Sequence, residues 1–99
     1  MLGIVIYTKP DVLLHKQGKL KNDPDHSSLG LYYWRLEREI KRVAELERIY
    51  FATEGFIRGY FLLQSYGDFE FEFHVSTWRD IEPIPQKPFQ GFKYFTGVA

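Results

Sequence analysis

Ile49-Tyr-Phe-Ala-Thr-Glu-Gly-Phe-Ile-Arg-Gly-Tyr-Phe-Leu-Leu63 decides the fold class. Residues 49–53 and 56–63 are runs of β-branched and aromatic side chains, the types that fit a pleated, half-buried surface. Glu54-Gly55 joins them, and a two-residue link whose glycine accepts positive φ is the chemistry of a tight hairpin. Gly59 interrupts the second run, which predicts a bulge or bend.

Working outward, Ser65-Tyr-Gly-Asp68 reads as a further turn. Phe69-Glu-Phe-Glu-Phe-His-Val75 then alternates apolar and polar residues. That period puts Phe69, Phe71, Phe73 and Val75 on a core face and Glu70, Glu72 and His74 on a wet one. Upstream, residues 3–8 (GIVIYT) form a first strand ending before Pro10. Asp11 is placed to cap a short helix over 12–17, and Gly18 to stop it. Residues 19–28, with Asn22, Asp23, Pro24 and Asp25, read as a loop. Residues 29–48 satisfy both periods. A strand over about 31–38 followed by a short helix or turn near 42–46 competes with one helix over 29–46.

Residues 78–95 hold three prolines, one glycine, five aromatics and three basic residues in eighteen positions. Such a segment cannot be helical and reads as an extended strap closing a β structure, with a last strand over 92–95. The count is about six strands with one or two short helices, a mainly β (α+β) domain. Curling into a small barrel would remove the exposed edges.

The 99 residues suit one domain with one core. Aromatic residues make up 18% of the chain, more than such a core needs, so some rings are expected to line a groove. The absence of cysteine excludes disulfides, thiolate metal sites and a Cys nucleophile. The first nine residues lack a basic leader and no segment is long enough for a membrane span, so a cytoplasmic protein with no membrane association is the expectation. Net charge is zero, but residues 1–21 carry four Lys against one Asp and residues 68–82 carry five acids against one Arg. A face formed by the basic segments would be positive.

Few residues are spaced for catalysis. His15, His26 and His74 share no metal-ligand spacing, although His26 sits beside Asp23 and Asp25. No metal or cofactor is expected. Glu70 and Glu72 would lie about 6–7 Å apart on one strand face, a separation that suits paired carboxylates but is also that of an ordinary solvated face. No phosphate-binding glycine loop is present, and no elbow motif places Ser27, Ser28 or Ser76 as a nucleophile. The strongest signal is aromatic residues beside basic ones: Tyr33-Trp34-Arg35, Phe56-Ile57-Arg58, Trp78-Arg79 and Lys87-Pro-Phe-Gln-Gly-Phe-Lys93. Aromatic faces stack unpaired bases while Arg and Lys meet phosphates.

The order of these pieces resembles the PUA-like superfamily and, within it, the small ASCH domains. The resemblance covers roughly residues 31–95. It is carried by Tyr33-Trp34-Arg35, by the approach from Val43 to Glu47, by the hairpin from Arg48 to Phe61, and by Glu82-Pro-Ile-Pro with Phe89-Gln-Gly-Phe92. It implies a pseudo-barrel with a cleft beside its helix and binding of RNA or a modified nucleoside, with hydrolytic or nuclease activity in some members. ASCH domains carry Gly-x-Lys before a strand with Glu-x-Arg. Here Gly18-Lys19-Leu20-Lys21 and Tyr33-Trp34-Arg35 stand in those places, with Tyr33 where the acid belongs.

The resulting expectation is non-catalytic RNA or nucleotide binding. Lys19, Lys21, Arg35, Arg58 and Arg79 are the candidate phosphate contacts, and Trp34 and Trp78 the candidate stacking rings. One rival is a protein-interaction or homodimerisation module using the aromatic strap. Another is a hydrolase acting on a modified nucleoside or RNA, with Lys19 or Lys21 working beside Glu70 or Glu72.

Overall fold

The computed structural model describes residues 2–16, 31–36, 45–67 and 69–96. They form β1 (Leu2–Tyr7), α1 (Pro10–Lys16), β2 (Leu31–Arg35), β3 (Leu46–Thr53), β4 (Phe56–Leu62), β5 (Ser65–Gly67), β6 (Glu70–His74), a 3-10 turn (Val75–Thr77), β7 (Arg79–Pro85) and β8 (Phe92–Phe95). The fold is mainly β, with two sheets. One has five strands in the order β7-β4-β3-β1-β8 and the other three in the order β2-β6-β5. Among the described residues, only the β1–β3 pairing is parallel.

The hairpin forms as its sequence dictates. Glu54 and Gly55 have φ of 52° and 86°, the two positive values of the turn whose twist matches its strands. The register slips between Phe51 and Ala52 on β3, opposite Ile57 to Gly59 on β4, so Arg58 is the extra residue of a bulge. The strand at Leu31–Arg35, paired with β6, excludes a single helix over 29–46. Residues 37–44 and the loop over 19–28 lie outside the described residues.

Burial explains why the strands read so differently. The five-stranded sheet is covered on both faces in its middle, so Ile4, Val5 and Ile6 of β1 are all buried, as is every residue from Ile49 to Thr53 of β3. A strand buried on both faces reads as a continuous apolar run. The small sheet buries one face, and β6 accordingly alternates. Phe71 and Phe73 are inaccessible, while Glu70, Glu72 and His74 are half-exposed. Phe69 breaks the expected pattern. It occupies a turn with φ of 66° and its ring is exposed, because the alternating strand begins one residue later.

Between the sheets, Ile4, Ile6, Ile49, Phe51 and Phe61 meet Tyr32, Phe71 and Phe73, with Leu13 of α1 joining them. Phe51 and Phe61 stand edge to face at 5.7 Å, and Phe61 and Phe73 lie 4.4 Å apart. Each such pair adds about 0.5–1.5 kcal/mol to the burial term. On the opposite face Val5, Tyr50, Ala52 and Ile57 are buried, flanked by Tyr7, Tyr60, Ile84, Phe89 and Phe95.

The expected barrel does not close, and the described residues form eight strands rather than about six. Two were hidden in the sequence. β5 has only three residues and reads as a turn. β7 contains Pro83 and Pro85 within the segment expected to be strap. It is an edge strand, and Ile81, Glu82 and Pro83 together oppose the single residue Arg58, which places Pro83 where no ladder donor is needed. The missing N–H groups of both prolines also deprive β7 of donors with which to pair a further strand, so the sheet ends there. Instead of curling shut, it is capped on one face by the second sheet.

The true strap is shorter, running from Gln86 to Gly91 between the two edges of the sheet. Five strands about 4.8 Å apart put β7 and β8 roughly 19 Å from each other. The chain from Pro85 to Phe92 reaches about 24 Å when fully extended. The strap therefore crosses the sheet end with little chain to spare, tied there by the Gln86 backbone N–H, which donates to Gly55 O at 2.8 Å. No described helix is long and apolar enough to cross a membrane.

Candidate functional site

The end of β1, the start of β8 and the end of β2 enclose a cleft of about 820 Å³. Its lining joins Ile6 and Tyr7 to Trp34, Arg35 and Leu36 and to Phe89, Gln90, Gly91 and Phe92. Each part arrives for a traceable reason. β8 pairs antiparallel with β1, Ile6 opposite Phe92, which brings the strap's last residues beside Tyr7. β2 is delivered by the small sheet, whose inner face is anchored where Trp34 meets Phe51 edge to face at 5.3 Å. Gly91 has φ of 79°, so it turns the strap into β8 with a conformation that L side chains rarely adopt.

The wall is held by polar contacts at its base. The Gly55 amide donates to the Tyr7 hydroxyl at 2.6 Å, tying the β3–β4 turn to the end of β1. Phe89 packs edge to face on Tyr7 at 5.9 Å, and the Lys93 ammonium lies 4.6 Å from the Phe89 ring centroid on its way to solvent. On the outward face of the small sheet, Arg35 Nη1 donates to Glu70 Oε1 at 3.1 Å. The two residues are register partners on β2 and β6. The register is fixed at the adjoining turn, where the Leu36 amide donates to Phe69 O at 2.7 Å.

Of the candidates read from sequence, Trp34 and Arg35 line this cleft; Arg58, Trp78 and Arg79 do not. Arg58 lies against Phe56, 5.0 Å from the ring centroid, and its Nε donates to Thr53 O. Trp78 packs on Phe61 at 4.9 Å, and its indole N–H donates to Asp80 Oδ1 at 2.8 Å. Arg79 donates to the Trp78 carbonyl. Lys19 and Lys21 lie outside the described residues, as do His26 and its flanking aspartates. Glu72 shares the outward face of the small sheet with Glu70, whose carboxylate is engaged by Arg35. Among the described residues no group of three His, Asp or Glu is gathered to hold a metal ion.

Tyr7, Phe89, Gln90 and Phe92 were missed as a group. The motif Lys87-Pro-Phe-Gln-Gly-Phe-Lys93 flagged the last three, but Tyr7 is eighty residues earlier and meets them only through the β1–β8 pairing. A second cluster on the far sheet face involves Arg48, whose guanidinium lies 4.2 Å from the Tyr60 ring centroid and donates to Tyr50 Oη at 3.1 Å. The Tyr50 hydrogen bond holds the Arg48 pKa above its ordinary value against the opposing effect of burial.

No protein-family model, curated protein or solved structure matches the chain.

Proposed function

We propose that the cleft binds the base of a nucleotide or of single-stranded RNA, without catalysis. One observation carries this reading: Trp34 and Arg35, singled out as an aromatic-basic pair, share a single cleft with Tyr7, Phe89 and Phe92. Aromatic walls accept the face of a base, and the Gln90 amide, with both donors and an acceptor, matches the polar edge of one. The volume lies within the roughly 300–1,000 Å³ typical of small-ligand sites. The resemblance to ASCH-like domains points to the same ligand class.

The two tryptophans make the test direct. In Trp78→Phe protein the remaining indole is Trp34, at the cleft. Titration with nucleosides, nucleotides and short single-stranded RNA is expected to quench its emission, saturably and with a loss on adding Phe89→Ala. Absence of quenching by every one of these ligands at millimolar concentration would overturn the proposal.

A further inference from the structure

We infer that Phe69 is a second stacking ring beside the cleft, and that the ligand is accordingly a single strand of at least two nucleotides rather than a lone nucleoside. This rests on the base-binding reading and deepens it. Phe69 holds φ of 66°, a left-handed conformation that is an outlier for a bulky side chain, and its ring is 42% exposed. The fold thus bears two costs at one position. Its carbonyl oxygen accepts the Leu36 N–H at 2.7 Å, a contact that any residue type supplies, and both buried clusters assemble from other side chains. Glu54, the other described non-glycine residue at positive φ, carries a polar side chain that water satisfies, so it bears the first cost alone. Strain kept where packing does not require it marks a residue retained for contact with a ligand.

The position of Phe69 selects that contact. Arg35 and Glu70 are the last pair of the β2–β6 ladder, and the Leu36 to Phe69 hydrogen bond carries the pairing one step further. The Phe69 backbone therefore stands one strand spacing, about 5 Å, from that of Leu36. Leu36 and Trp34 line the cleft, so a base held against Trp34 leaves its neighbour along the strand within reach of Phe69. Stacking on an aromatic ring accepts any base, because every base has a π-face. A lipid surface or an apolar protein patch could also cover one ring, but neither would couple that ring to occupancy of the cleft.

The experiment compares the four ribonucleosides with the dinucleoside monophosphates ApA, CpC, GpG and UpU, read by Trp34 emission in Trp78→Phe protein at physiological ionic strength. At least one dinucleotide is expected to bind about fivefold or more tightly than its nucleoside. Phe69→Asn is expected to remove that gain and leave nucleoside affinity unchanged, while raising the melting temperature. Phe69→Tyr, which keeps the ring, should retain the gain. Affinity lost while stability rises separates a ligand contact from a folding defect. Equal affinity for nucleoside and dinucleotide, or a dinucleotide gain that survives Phe69→Asn, would overturn the inference while base binding stands. Binding of neither class would remove the base-binding reading and this inference with it.

Discussion

Trp78 lies over Gly59 so closely that a β-carbon on that glycine would stand 2.6 Å from Trp78 Cζ2, and nearer still to the Arg79 carbonyl oxygen. The indole thus occupies the space that any other residue at position 59 would need, in the middle of the β4–β7 pairing. Gly59→Ala must push β7 outward, because backbone cannot yield as a flexible side chain can. We expect a loss of about 1–3 kcal/mol, read as a lower urea midpoint at unchanged slope. Emission from Trp78 should shift to the red, while the Trp34 environment stays as it was.

Arg48 offers a test of planar against point charge. Its guanidinium both donates to Tyr50 Oη and covers the Tyr60 ring, two roles that an ammonium cannot fill together. Arg48→Lys should cost about 1 kcal/mol in chemical denaturation. Since the folded-state pKa is raised, the stability it reflects is fully present below the ordinary arginine value. It is lost only as pH rises through the higher folded value. The cost of the substitution should therefore be constant between about pH 6 and about pH 9.

Glu54 and Phe69 are the described non-glycine residues at positive φ, 52° and 66°. Asparagine tolerates this region better than either, since its short polar side chain bonds locally to the backbone. Glu54→Asn creates Asn-Gly at the turn and should stabilise the protein by about 0.5 kcal/mol. Phe69→Asn should do the same, its ring being exposed. Thermal melts of the two single variants and the double variant would check both, with near-additive gains expected because the turns belong to different sheets.

The strap has little chain to spare. Deleting Lys87 shortens its reach to about 21 Å against the roughly 19 Å it must cross before any detour around the β3–β4 turn. A loss of about 2 kcal/mol or more is expected, whereas inserting one glycine after Lys87 should cost well under about 1 kcal/mol. If both changes were equally costly in urea melts, the strap would not be limiting.

The sequence showed most where local chemistry and tertiary demand agree. Glu54-Gly55 fixed the hairpin because positive φ is a property of the turn itself. Phe71 and Phe73 were legible because one face of the small sheet is wet. β7 was not legible, since Pro83 and Pro85 carry a strong local signal against strands that a bulged edge position tolerates. The failure of the sheet to close follows from the same prolines. At the cleft, Trp34-Arg35 could be read from neighbouring residues, but Tyr7 could not, because nothing near it in sequence announces that β8 will return to its side. Glu70 opposite Arg35 depends on the β2–β6 register, and register is decided by which phenylalanines are buried, not by the charged pair.

The β1–β8 pairing gives the cleft a place in time. β8 is the last described strand to be synthesised, yet its partner β1 is the first. A pairing across so much chain must bear a large loop-closure entropy before it yields any contact, and such pairings form slowly. The β3–β4 hairpin and the β5–β6 pair can assemble from local sequence beforehand, without Phe89, Gln90 or Phe92 in position. The cleft is therefore absent from every partly folded chain that has not yet docked β8, and occupancy of it reports completed folding.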